Sequence, residues 1–206
     1  MWGVLMAEKT MNCPACGAPL ELESRFTTLV VCQYCGQTSF VRDDGLDPTG
    51  KVAKLTDYIS RLQVGAAGTI RGRKFKTLGR VRYQYEDGTW DEWFVRFDDG
   101  QPGWLAEDEG EYILYFKKRL TQPIPPFEEI RVGSFLSIPP MQVFVTEKGE
   151  GQIAGAEGEV SFNAMPGETI RYIDGNANGK AVGIVITSKS IDFWVGDPLE
   201  FRDITV

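Results

Sequence analysis

A chain of 206 residues with no histidine and a net charge of −7 excludes several classes of function before any motif is read. Without imidazole it lacks the commonest general acid–base and the commonest ligand of a catalytic zinc. The acidic balance opposes general binding to nucleic acid or anionic membranes, where Lys and Arg supply the affinity. No apolar run approaches the roughly 20 residues of a membrane-spanning helix. The opening Met1–Met6 has no basic start and is too short for a secretory signal, with Met6 or Met11 as alternative starts. The expectation is a cytoplasmic protein.

The first element is a pair of knuckles, Cys13-Pro14-Ala15-Cys16-Gly17 and Cys32-Gln33-Tyr34-Cys35-Gly36, which use all four cysteines. Two thiols two residues apart in a tight turn aim at one ion, and the glycine that follows accepts the backbone angles of the turn. Fifteen residues separate Cys16 from Cys32, a spacing typical of a four-thiolate zinc site. The reading is that Cys13, Cys16, Cys32 and Cys35 ligate Zn2+, a pair of disulfides being the alternative. Four thiolates close the coordination sphere, so the ion is structural and not catalytic. Leu20–Glu23 alternates apolar and charged, and Thr27–Val31 is β-branched, as strands require. Residues 11–42 therefore predict a zinc ribbon, too small for a core of its own and folded largely by its metal. Between Met11 and Val41 only Arg25 is basic, against Glu21 and Glu23, so a protein contact suits the ribbon better than nucleic acid.

Residues 43–61 form a linker. Asp43–Gly50 is polar, with Gly and Pro, and Val52, Leu55, Ile59 and Leu62 then recur at helical steps, predicting a short helix over Lys51–Leu62. From Val64 the pattern is β. Phe75, Thr77, Val81, Tyr83 and Tyr85 fall on one face of a long strand, and Lys74, Lys76, Arg80, Arg82 and Gln84 on the other. Gly79, mid-run, marks a bulge. Asp87-Gly88 is a hairpin turn, after which Trp93, Val95 and Phe97 alternate with Glu92, Phe94 and Arg96. Further strands over 103–106 and 112–116 complete a β unit over 62–120. The Pro-rich run 121–126 breaks it, and 121–206 begins a second. Leu62-Gln63-Val64-Gly65 is echoed by Ile130-Arg131-Val132-Gly133, and at the same offset Ile70 is echoed by Ile138 and Phe75 by Val143, which reads as a degenerate duplication. The predicted fold is all-β: a zinc ribbon followed by two related small barrel or sandwich units, with one short helix.

The elements Ile70–Phe75, Gly79–Tyr83, Gly88-Thr89-Trp90-Asp91-Glu92-Trp93 and Gly103-Trp104-Leu105-Ala106-Glu107 resemble a bacterial family known as domain of unknown function 4178, whose members often carry an N-terminal zinc ribbon. The second half is also similar to it, with Glu157-Gly158-Glu159-Val160 standing for a family element that ends in proline, followed by Gly167-Glu168 and Asp174. The resemblance runs from Gly65 to the C-terminus. It implies no activity and no catalytic residues. Its one functional hint is an association of the family with polyamine-synthesis and membrane-stress genes.

Four constellations carry possible chemistry. The zinc site is the first. The second is the stretch from Glu86 to Glu111, with ten acids against Arg96 alone and with Trp90, Trp93 and Trp104 among them. Carboxylates and indole faces together attract cations, so Trp90, Asp91, Glu92, Trp93, Trp104 and Glu107 are the candidate ligand- or partner-binding residues. Solvated hairpin tips around core tryptophans are the alternative. The third is the basic run Arg71–Arg82, a candidate for phosphate, anionic lipid or nucleic acid if unpaired, but expected to pair with Asp91 and Glu92 on the next strand. The fourth is Glu147, Glu157, Glu159, Glu168 and Asp174, a source of acid–base or metal-binding pairs only if two converge. The reading is of a non-enzymatic binding or adaptor protein, contacting a protein partner or cationic ligand through the ribbon and the acidic, aromatic β face. The rival is a carboxylate-dependent enzyme or enzyme subunit of amine metabolism, with Glu147 or Glu159 meeting Asp174 in one pocket.

Overall fold

The computed structural model describes residues 9–53, 55 and 60–206, and in them the protein is all-β. β1 (Lys9–Asn12) and β2 (Pro19–Leu22) form a separate hairpin, and β3 (Leu29–Val31), β4 (Gln37–Val41) and β5 (Leu46–Val52) follow as a small antiparallel sheet. β6 (Ala67–Ile70), β7 (Arg73–Gln84), β8 (Thr89–Phe97), β9 (Pro102–Asp108) and β10 (Glu111–Lys118) make one meander. β11 (Phe135–Ile138), β12 (Met141–Val160), β13 (Thr169–Ala177), β14 (Lys180–Ile186) and β15 (Ile191–Leu199) make a second, and β16 (Ile204–Thr205) returns to pair with β6. β10 pairs with β15 and β7 with β12. The strands β7, β8, β9, β10, β15, β14, β13 and β12 thereby close on themselves as one eight-stranded antiparallel barrel.

The two meanders match at the offset read from the sequence. The spacing that carries Ile70 to Ile138 also carries both ends of β6 onto those of β11, and the start of β7 onto the start of β12. Gly65 N–H donates to the Thr77 carbonyl at 2.8 Å, and Gly133 N–H to that of Val145 at 2.9 Å. The register shifts between Thr77 and Gly79 against β8, and between Val145 and Glu147 against β13. The halves differ in the length of their long strands, 12 residues in β7 and 20 in β12. The added stretch of β12, Ile153–Val160, pairs first with β7 and then with β3. It closes the barrel and ties the ribbon sheet to it. Gly79 faces Gly158 at this crossing, where a Cβ on Gly79 would collide with the Glu159 carbonyl oxygen, so the backbones meet at positions without side chains.

Three apolar cores result. Val81, Tyr83, Phe94, Trp104, Ile153 and Ile170 fill the lumen. Leu62, Ile70, Phe75, Trp93, Val95 and Phe97 pack outside the first meander. Ile130, Ile138, Val143, Val145, Ile173 and Phe193 pack outside the second. The echoed pairs Leu62/Ile130, Ile70/Ile138 and Phe75/Val143 thus occupy equivalent places in the two outer cores. The Gly79 bulge divides the residues that simple alternation puts on one face: Phe75 and Thr77 look outward, Val81 and Tyr83 into the lumen. Both faces of the barrel wall are buried, so apolar and polar positions do not alternate cleanly along its strands.

In the ribbon, Val30 packs with Met11, Leu20, Leu22, Cys13 and Cys32. Its neighbours Leu29 and Val31 point the other way, into the lumen core. Of the helix expected over Lys51–Leu62, Lys54 and 56–59 lie outside the described residues, and Lys51 and Val52 belong to a strand instead. Of its stripe, Val52 ends β5 and Leu62 is buried in the first outer core. No helix among the described residues is long and apolar enough to cross a membrane.

Candidate metal centre and barrel lumen

The two knuckles are built alike. Gly17 N–H donates to the Cys13 carbonyl and Gly36 N–H to that of Cys32, each at 2.8 Å, and both glycines hold φ at +74°. That left-handed value favours glycine. The four sulfurs lie within 4.8 Å of one another, with Cys13–Cys35 and Cys16–Cys32 each 3.7 Å apart. A disulfide needs about 2.05 Å, and all four cysteines are free. A tetrahedron with metal–sulfur bonds of about 2.3 Å has edges of roughly 3.8 Å, so the donor set fits a metal ion. The electrostatics agree. Burial pushes the Cys13 thiol up, but hydrogen bonds from Cys16 and Ala15 outweigh it and bring it down to about 7. Cys35 accepts a hydrogen bond from Gln37 that favours its thiolate, yet burial and the three neighbouring thiols push it up to about 12. Four thiolates cannot crowd together without a cation to neutralise them.

The ribbon is held to the barrel by a buried carboxylate. Glu159 accepts hydrogen bonds from Glu23 N–H (2.8 Å), Ser24 N–H (3.1 Å) and the Thr27 hydroxyl. Burial raises its pKa, and these bonds oppose the rise. Arg96 reaches across to Glu23 from β8.

The residues singled out around the tryptophans divide between the two faces of β8 and β9. Trp90, Glu92 and Trp104 face the lumen, while Asp91, Trp93 and Glu107 face the first outer core. The outward set is a buried polar cluster. Arg82 forks onto Asp91 with Nε–Oδ1 at 2.8 Å and NH2–Oδ2 at 2.7 Å, and Arg80 lies 3.3 Å from the same carboxylate and 3.0 Å from Glu157. Glu107 accepts from Trp93 Nε1 (2.8 Å), the Tyr112 hydroxyl (2.8 Å) and the Ser60 hydroxyl (2.7 Å). The expected pairing of the basic strand with Asp91 is present. Glu92 faces away from those arginines.

The lumen set is different. Glu92 accepts from the Tyr83 hydroxyl at 3.2 Å and from Trp90 Nε1 at 3.5 Å, and no lysine or arginine among the described residues pairs with it. Burial pushes its carboxyl up to about 7 against both hydrogen bonds. Further along the barrel, Asp174 sits across the β12–β13 ladder from Glu147. Burial first, then the charges of Glu147 and Glu92, push it up to about 7 as well. A Cβ on Gly183 would lie 3.6 Å from Asp174 Oδ1 and 3.7 Å from the Tyr115 ring, so the missing side chain leaves room for both. Burial, Asp174 and Glu92 together raise the Tyr115 phenol. Trp90 stacks on Tyr83 at 4.7 Å and meets Tyr85 and Tyr172 edge-on, and Tyr172 donates to Glu147 at 2.9 Å. Asp174 therefore meets Glu147 and not Glu159, which clamps the ribbon instead.

Beside Glu92 the lumen opens into a cavity of about 340 Å3. Tyr83, Glu92, Ile153, Ile170, Val185 and Trp194 line it within the barrel. Thr28, Lys117, Phe162, Glu168, Lys189 and Asp192 are also in its lining, and Lys117 and Asp192 pair at 2.6 Å. Tyr83, Tyr115, Asp192 and Trp194 were not picked out from sequence. Only the parity they share with Trp90 and Glu92 in the ladders connects them, and that parity is visible once the strand pairing is known.

Comparison with curated proteins and with solved structures returned no match. Residues 63–200 match the family described as domain of unknown function (DUF4178), a span that takes in both meanders and the whole barrel. Since the match covers more than half of the chain, the protein belongs to the DUF4178 family.

Proposed function

We propose that this protein is a zinc-fastened, non-enzymatic binding protein whose barrel lumen takes a cationic ligand and whose ribbon offers a contact surface to a protein partner. One observation carries the reading. Glu92 and, further along the barrel, Asp174 stand in an aromatic lumen with no cation paired to either among the described residues, and Glu92 lines a cavity open enough to admit one. Carboxylates in such a place are costly unless something compensates them, and a bound cation flanked by indole and phenol faces does so. At the other site, four thiolates favour zinc over hard cations, which prefer oxygen. When bound, the ion neutralises the thiolates and cross-links the knuckles. On the ribbon, Tyr34 stands exposed beside Cys35 as a candidate contact.

A thermal-shift panel of inorganic cations, organic amines and basic peptides tests the lumen. At least one cation should raise Tm in the native protein and leave an E92Q/D174N variant unmoved. An equal response in the variant, or none in the native protein, sinks the reading. The neighbouring pair Glu147 and Asp174 supports a second reading, a carboxylate-dependent enzyme acting on the same class of ligand. That reading requires turnover of the bound cation, lost in D174N while binding persists.

A further inference from the structure

Among the described residues, five charged side chains line the cavity at the barrel mouth: Glu92, Lys117, Glu168, Lys189 and Asp192. Glu92 stands among Tyr83, Ile153, Ile170, Val185 and Trp194. Lys117 and Asp192 engage each other at 2.6 Å, Glu168 accepts from the Ser188 hydroxyl at 3.5 Å, and Lys189 is exposed, which leaves Glu92 as the acid set among the apolar side chains. This distribution decides among ligands. A metal ion needs several oxygen ligands, whereas Glu92 has only a phenol and an indole N–H as polar partners, and the indole cannot ligate. An anion placed along the apolar side chains meets the Glu92 carboxylate, and Lys117 is already paired with Asp192. A neutral apolar molecule leaves that carboxylate without a counter-charge.

The geometry points to the cavity as a binding site for an organic monoamine on an apolar stem, its ammonium against Glu92 and its stem along Ile153, Ile170, Val185 and Trp194. The proposal rests on the reading of the barrel as a cation-binding protein and goes further, fixing one anchoring carboxylate and an apolar remainder. Glu92 is the positioned counter-charge, Tyr83 orients its carboxylate, and Trp194 supplies a reporter at the wall. No covalent step is involved.

The test uses the full, zinc-loaded chain and follows intrinsic tryptophan fluorescence, with calorimetry for affinity. The probes are hexylamine, hexanol, hexanoate and diaminohexane. Hexylamine should bind roughly tenfold or more tightly than hexanol and hexanoate, from the charge-assisted bond to Glu92. E92Q, near-isosteric and expected to fold, should lose that advantage. Val185→Trp, which fills the cavity and leaves the charge in place, should abolish binding of all four probes while far-UV circular dichroism stays native. Equal affinity of E92Q for hexylamine, equal binding of hexanol, or a diamine bound more than about tenfold tighter than the monoamine overturns the proposal. In the last case acids of the mouth also anchor the ligand. If hexylamine fails but another cation binds in a D174N-sensitive way, only the monoamine site falls. If no cation binds at all, the cation-binding reading falls with it.

Discussion

The ribbon and the barrel solve the same problem, closing a structure with too few local contacts, by different means. The ribbon closes within a short span, Cys13 to Cys35, by directing four sulfurs at one point. The barrel closes by bringing Ile153–Gly158 of β12 onto Tyr83–Gly79 of β7, across four intervening strands of the chain, and then filling three separate apolar cores. The ribbon has one small core, around Val30, beside the four sulfurs. The barrel distributes its stability so widely that it tolerates two carboxylates inside. The two meet in β3, whose Leu29 and Val31 belong to the lumen core while Val30 belongs to the ribbon.

Removing the metal should have the largest effect. Cys32→Ser should release zinc and cost on the order of 5 kcal/mol or more, given how structural zinc drives folding of small domains. Because Leu29 and Val31 serve the barrel, melting should remain a single transition at lower Tm. Two separated transitions, with the barrel unmoved, would show that the ribbon is an appendage. Next comes the barrel's own closure. Gly79→Val places a side chain against the Glu159 carbonyl and should cost more than about 4 kcal/mol. Urea denaturation should show this with little change in zinc content, which would separate barrel closure from metal binding.

A smaller loss is expected from the buried ion pair. Asp91→Ala leaves Arg80 and Arg82 facing no carboxylate at that position and should cost about 3 kcal/mol. A loss under about 1 kcal/mol would mean that water reaches this cluster.

The lumen carboxylates should move stability the other way. Glu92 and Asp174, ordinarily at 4.5 and 3.8, are held near 7 in the folded protein. Folded protein thus binds more protons than unfolded protein between these values, and stability falls as pH rises through that window. E92Q and D174N should each raise stability by about 2 kcal/mol at pH 8, with the gain gone by about pH 4. A Tm difference independent of pH would contradict the burial assigned to these groups.

Sequence reveals the features that local chemistry writes. The Cys-x-x-Cys-Gly knuckles, the Asp87-Gly88 hairpin and the bulge at Gly79 are all set by backbone demands within a few residues. The duplication was also legible, because Leu62/Ile130, Ile70/Ile138 and Phe75/Val143 fill matching outer-core positions. The lumen was not. Its wall is buried on both sides, so Trp90 and Glu92 cannot be told from Asp91 and Trp93 by polarity, only by which strand lies opposite. Closure of β7 on β12 depends on pairing between distant segments, and no short motif announces such pairing. The helix expected from Val52, Leu55, Ile59 and Leu62 rested on periodicity alone, and Val52 lies in β5.

The extra length of β12 also sets an order of events in folding. Each meander assembles from neighbouring hairpins, a fast process, but the β7–β12 and β10–β15 seams need the C-terminal half to exist. During synthesis the first meander therefore waits with β7 and β10 as open edges, which are templates for pairing with another chain. The same extension that seals the barrel within one molecule would, if it reached a neighbour's β7 first, seal it between two. High concentration during refolding should accordingly favour strand-exchanged dimers, and dilution should favour the monomer.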